Sequence, residues 1–204
     1  MSTEESLQQL KHPNPHMRDR AMWELVDNPD EITIPRLMDI LDDEDTTYRR
    51  AAVKTLGAIG HDTVPPLVEA LLNSENVTVR GSAAKALAQV AINYPDEPFP
   101  PQGIAGLKTA LQDPNPVVNI AAVMAMGVIG VPIVDILIEA LQTTDNPALA
   151  MSIVNALSAI ADPRCLTAIN TLLADEAVDS YVKEAATSAL SRLEMTTKFN
   201  SDRQ

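Results

Sequence analysis

The chain of 204 residues is 46% hydrophobic yet only 3% aromatic, and its formal charge is −13. A charge of that sign repels polyanions and argues against nucleic-acid binding. The single cysteine, Cys165, excludes a disulfide framework or a thiolate cluster and fits a reducing compartment. The N-terminus is polar, carries Glu4 and Glu5, and has no basic segment ahead of an apolar run, so no signal peptide is expected.

Taken in chain order, the pattern is one of paired helices. A short helix A around Glu4 to Lys11 is followed by Asn14, then by apolar positions Met17, Ala21 and Leu25 on one helical face. Pro35, Leu37 and Leu41 mark a second helix A, and Asp45 opens a second helix B through Tyr48, Ala52, Leu56 and Ile59. Pro65, Leu67 and Leu71 precede Asn76, which introduces Val79, Ala83, Leu87 and Val90. After a proline-rich stretch, Tyr94 to Pro101, come Leu107 and Leu111, then Asn115 with Val118, Ala122, Met126 and Ile129. Pro132, Leu137 and Leu141 lead to Asn146 with Leu149, Ile153, Leu157 and Ile160. Pro163, Ile169 and Leu173 lead to Asp179 with Val182, Ala186, Leu190 and Leu193.

The Asn or Asp before each helix B recurs at intervals of 31, 31, 39, 31 and 33 residues. It reads as an N-cap, whose side-chain oxygen accepts an orphan N–H of the first turn. Pro15, Pro116 and Pro147 follow three of these caps at the first helical position, where a missing N–H is harmless. A period of this length marks a repeat array. The expected fold is all-α, a right-handed αα solenoid of six repeats over residues 3–194, with 195–204 a flexible tail. The uncharged run Ile120 to Val134 is too short to span a membrane and contains the glycines and proline of a turn, so no spanning helix is expected.

Candidate function lies where the repeat varies. Counting from the residue four after each cap (Arg18, Arg49, Arg80, Asn119, Ala150, Lys183), plus one and plus five point away from the core. There the successive pairs read Asp19/Trp23, Arg50/Lys54, Gly81/Lys85, Ile120/Met124, Met151/Asn155 and Glu184/Ser188. Repeats two and three are basic and repeats four and five apolar, so Trp23, Arg50, Lys54, Lys85, Ile120, Met124 and Met151 are the candidate partner-binding residues. Tyr94 and Phe99 are candidate contacts of the proline-rich loop, for which the alternative is a spacer that sets curvature. Arg18, Arg49 and Arg80 are expected to reach acidic caps or loops of neighbouring repeats, such as Asp42, Asp43 and Glu75. Cys165 is either a small buried apolar residue or a thiol activated near a helix N-terminus. No Ser/His/Asp set or phosphate loop is present, so no catalytic residue is assigned.

The segment Asp113-Pro-Asn-Pro-Val-Val-Asn-Ile-Ala-Ala-Val-Met-Ala-Met-Gly-Val-Ile-Gly130 resembles the short HEAT-like repeat of phycobilin lyases of the E/F type, as does Tyr48 to Gly60. The resemblance covers nearly the whole chain. It implies a cyanobacterial protein of the cytoplasm, near the cytoplasmic face of thylakoids, with the B helices lining a concave face. A protein adaptor or assembly factor is the first reading, with a phycobiliprotein, a second HEAT-like subunit or an iron–sulfur assembly protein as partner. The alternative is a lyase or isomerase subunit that handles phycocyanobilin together with a second HEAT-like chain. A generic repeat protein outside photosynthesis is the third. The same repeat class includes a di-iron hydroxylase with His-Glu ligand pairs, but none of His12, His16 and His61 precedes a glutamate, so no metal is expected.

Overall fold

A computed structural model describes residues 2–160 and 162–201. Among these, twelve α-helices follow one another without a strand, giving an all-α solenoid of two-helix repeats. The A helices are α1 (Thr3–Gln9), α3 (Thr33–Asp39), α5 (Val64–Asn73), α7 (Pro101–Ala110), α9 (Val134–Thr143) and α11 (Pro163–Ala174). The B helices are α2 (Pro15–Asp27), α4 (Thr46–Ile59), α6 (Val77–Asn93), α8 (Pro116–Ile129), α10 (Pro147–Ala159) and α12 (Ser180–Ser201). Of the tail expected at 195–204, residues 202–204 lie outside the described residues.

All six caps form. The side chains of Asn14, Asp45, Asn76, Asn115, Asn146 and Asp179 accept the N–H two residues on, at 2.8–3.0 Å. Such a cap contributes about 1 kcal/mol against alanine, so the six together fix where every B helix starts. Gly60 and Gly130, at φ 95° and 81°, end α4 and α8 in a backbone conformation that a β-carbon would strain.

The chain forms two compact units, Met1–Ala125 and Met126–Gln204. In the first, α2, α4 and α6 pack in series, with α5 against α6 and α7. The alanines at plus three, Ala21, Ala52, Ala83 and Ala122, are fully buried, as are Leu56 and Leu87 at plus seven. Gly57 lets α4 approach α6 so closely that a β-carbon there would lie 3.0 Å from the Gln89 carbonyl carbon. In the second, α12 packs on α10 and α11, and α9 on α10 and α11, around Ile153, Leu157, Ile169 and Ala186.

The proline-rich loop is tied to the first unit through its aromatic rings. The Tyr94 hydroxyl donates to the Ala58 carbonyl at 2.8 Å, beside the end of α4, and the ring lies over Gly60. Phe99 covers Gly103 in the first turn of α7, where a β-carbon would meet the ring at 2.6 Å.

Candidate functional site

The plus-five position is exposed in every repeat: Trp23, Lys54, Lys85, Met124, Asn155 and Ser188. Plus one is not uniformly outward as expected. Arg50 and Glu184 are exposed, Asp19, Ile120 and Met151 are partly covered, and Gly81 is buried beside Val117. The reason is angular: plus one stands nearer the neighbouring B helix, so its side chain turns toward the seam between repeats.

Two of the exposed residues are large apolar groups. Trp23 is 53% exposed on α2 and Met124 65% on α8. Val117, also exposed, precedes Ile120 by three residues and Met124 by seven, so the three share one face of α8. That stripe was readable in the sequence from its helical spacing, but Val117 falls outside the plus-one and plus-five count.

The basic candidates converge. Between α2 and α4 lies a shallow pocket of about 390 Å³ bounded by Arg18, Asp19, Arg50 and Lys54. Between α4 and α6 lies another of about 450 Å³, bounded by Arg49, Arg50, Lys54 and Lys85 with Ser82 and Gln89. Arg50 and Lys54 belong to both. No carboxylate lines the second pocket, although the chain carries −13. Lys54 Nζ lies 2.8 Å from Asp19 Oδ1, and this contact lowers the Asp19 carboxyl below its ordinary range. Arg50 and Lys85 have no ionic or hydrogen-bond partner among the described residues, so their charge faces the opening. Trp23, Ile120 and Met124 line neither pocket, and Met151 lies in the second compact unit.

The arginine register behaves differently from expectation. Arg18 donates to the carbonyls of His12 and Pro13, Arg49 to that of Asp43, and Arg80 to those of Ser74 and Glu75. The Asn119 amide donates to the Asp113 carbonyl. Each side chain thus closes the A–B turn of its own repeat, six residues back, rather than bridging to a neighbour's acid. The cause is reach: a guanidinium in the first helical turn lies directly over the turn that precedes it, whose carbonyls lack helical partners. Only Arg80 also meets a carboxylate of the next repeat, pairing with Asp113 at 2.8 Å, with 13% and 10% of the two side chains exposed.

Cys165 is fully buried in α11, and burial pushes its thiol up from the ordinary value. It is therefore a packed apolar residue, not an activated thiolate. Among the described residues, no three His, Cys, Asp or Glu side chains come together as a metal site, and no helix is long and apolar enough to cross a membrane.

Tandem capped helix pairs with a variable exposed B face define a HEAT-repeat protein, and the HEAT-repeats family matches residues 3–95 and 104–191. The chain belongs to that family, and within it to the phycobilin lyase E/F-type group. It is 65% identical over 199 residues to the uncharacterized phycocyanin operon protein Z of Pseudanabaena tenuis (strain PCC 7409), covering 98% of each chain. It is 36% identical over 165 residues to the bilin biosynthesis protein CpeZ of Synechococcus sp. (strain WH8020), covering 78% of this chain and 88% of that one. Among solved structures, the complex of CpcE and CpcF of phycocyanin lyase from Nostoc sp. PCC7120 shares the fold, with a TM-score of 0.51 at 23% identity over 76% of this chain and 96% of that one.

Proposed function

We propose that the protein is an adaptor or assembly factor of phycobilin attachment, gripping an acidic surface of a protein partner with its B-helix face. The observation that carries this reading is the pocket between α4 and α6, with four cations, no carboxylate, and Arg50 and Lys85 unpartnered. Exposed cations over a partly apolar helix face suit a protein surface that offers carboxylates beside apolar residues. Trp23 and Met124 supply large apolar groups of the kind that anchor interfaces. The name bilin biosynthesis protein of the CpeZ relative, and the phycocyanin operon of the other, supply the context. A phycobiliprotein, a second HEAT-like chain and an iron–sulfur assembly protein are the partners to try, in the cytoplasm near the thylakoid surface. The solved CpcE structure is itself a complex with CpcF, which favours starting with a second chain.

The same pocket favours one second reading. Its volume of about 450 Å³ lies within the range of small-molecule sites, and its cations would hold the two propionates of phycocyanobilin in a lyase or isomerase subunit. The test for both is the double variant R50E/K85E, which leaves the Lys54–Asp19 pair in place. It is co-expressed with the candidate partners, with and without bilin-making enzymes. The adaptor reading expects at least ten-fold weaker partner capture, without pigment in either preparation. Colour carried by the wild type and lost in the variant would favour the bilin reading. Undiminished capture by the double variant would sink the pocket assignment.

A further inference from the structure

The position that closes the turn holds Arg18, Arg49, Arg80 and Asn119 in repeats one to four, and in repeat five it holds Ala150, which has no donor to offer. In repeat three the same position holds Arg80, whose guanidinium takes the Ser74 and Glu75 carbonyls of its own turn and the Asp113 carboxylate of the next. The corresponding carbonyls in repeat five are those of Thr144 and Asp145. The longer turn of repeat six puts Ala177 two residues before the cap, and the counterpart of Asp113 counted from the start of helix A is Asp175, since the two follow Pro101 of α7 and Pro163 of α11 at the same distance. Asp175 matches Asp113 in its local bonding, since each carboxylate accepts the N–H two residues on. The alanine ends at its β-carbon and cannot reach any of them. Thr144, Asp145, Ala150 and Asp175 instead line a cavity of about 450 Å³ inside the second compact unit.

The lining is suited to a cation with an apolar stem. Asp145, Asp175 and Asp179 all border the cavity, and none has a cationic partner among the described residues. One oxygen of Asp175 caps the Ala177 N–H and one of Asp179 caps the Tyr181 and Val182 N–H groups, which leaves the second oxygen of each available. No donor among the described residues reaches the Thr144 carbonyl. Leu141, Leu172 and Val182 form the apolar wall, against which methylene groups would lie. A planar guanidinium satisfies a carbonyl and carboxylates at several angles in one plane, which a point-like ammonium does not.

We infer that this cavity is a socket for an arginine side chain of a protein partner, which supplies in trans the guanidinium that Arg80 supplies in cis. The occupant is an arginine within an apolar segment, since the charged end and the apolar wall must be served together. The site is separate from the basic pocket of the proposed function and stands whether or not that pocket binds a partner.

The isotope-labelled full chain would be titrated with acetyl-Leu-Arg-Leu-amide and followed by amide NMR. Saturable shifts are expected at Thr144, Asp145 and Asp175. The citrulline peptide, of the same shape without charge, should bind at least ten-fold more weakly, and the lysine peptide several-fold more weakly. A150R fills the socket from within and should abolish the shifts, while D175N should weaken binding about five-fold should A150R fail to fold. R50E/K85E should bind the peptide as the wild type does, so failure here and failure of the basic pocket are distinguishable. Equal binding of the citrulline peptide, or unchanged binding by folded A150R, would overturn the inference. Free arginine binding as well as the peptide would also overturn it, in favour of a small-molecule site.

Discussion

Repeats three and five share a cap, a turn and a helix pair, yet one turn is closed and the other open. In repeat three, Arg80 is held by two carbonyls and a mostly buried carboxylate. In repeat five, Ala150 leaves the matching carbonyl and carboxylates around a cavity. A structural position that is filled in most copies becomes a candidate binding site in the copy where the filling residue is missing. A repeat array thus carries its own internal standard: what the intact copies hold tells which ligand chemistry the broken copy lacks.

R80A should open the closed turn of repeat three at the greatest cost. It strands the Asp113 carboxylate in a mostly buried site and removes the closure of the Ser74 turn, a combination that destabilises by about 3 kcal/mol. Denaturant unfolding checks it, and a loss below about 1 kcal/mol would show that closure of this turn matters little. R49A comes next. It deletes a bond to the Asp43 carbonyl but strands no acid, so a loss of about 1.5 kcal/mol is expected, the low end for hydrogen bonds to charged groups. A150R runs the comparison in reverse. Its new guanidinium meets the Thr144 carbonyl and the Asp175 carboxylate, and stability should rise by about 0.5–1 kcal/mol in the same unfolding measurement. K54A removes an exposed pair with Asp19 and should change stability by less than about 0.5 kcal/mol, the ordinary scale of surface ion pairs.

Asp162, the cap of α11, is held at about 2 by its hydrogen bonds with the Arg164 guanidinium, below its ordinary 3.8. A depressed folded value means that the carboxylate's stabilisation is complete above the ordinary range and is lost as pH falls toward 2. R164A should return the Asp162 titration toward 3.8, read by carboxyl NMR, and should flatten that part of the acid limb.

Much of the fold was legible because its determinants are local. Each cap bonds an N–H two residues away, and each buried alanine and leucine follows the helical period, so a linear scan finds them. The candidate site was half legible. The exposure of Lys54, Lys85, Trp23 and Met124 follows from helical angle alone. The salt bridge from Lys54 to Asp19 does not, because it joins residues 35 apart in neighbouring repeats. The direction of the arginines also escaped the sequence, since a turn carbonyl offers no side-chain signal.

The repeat, its caps, its core and the outward plus-five positions can all be read along the chain, because they depend on contacts within a turn or two of one helix. Which charges stay unpaired and where space remains, as at Arg50, Lys85 and Ala150, emerge from the packing of the repeats. Both depend on how neighbouring repeats approach, and a vacant volume or a missing partner has no residue of its own to be read.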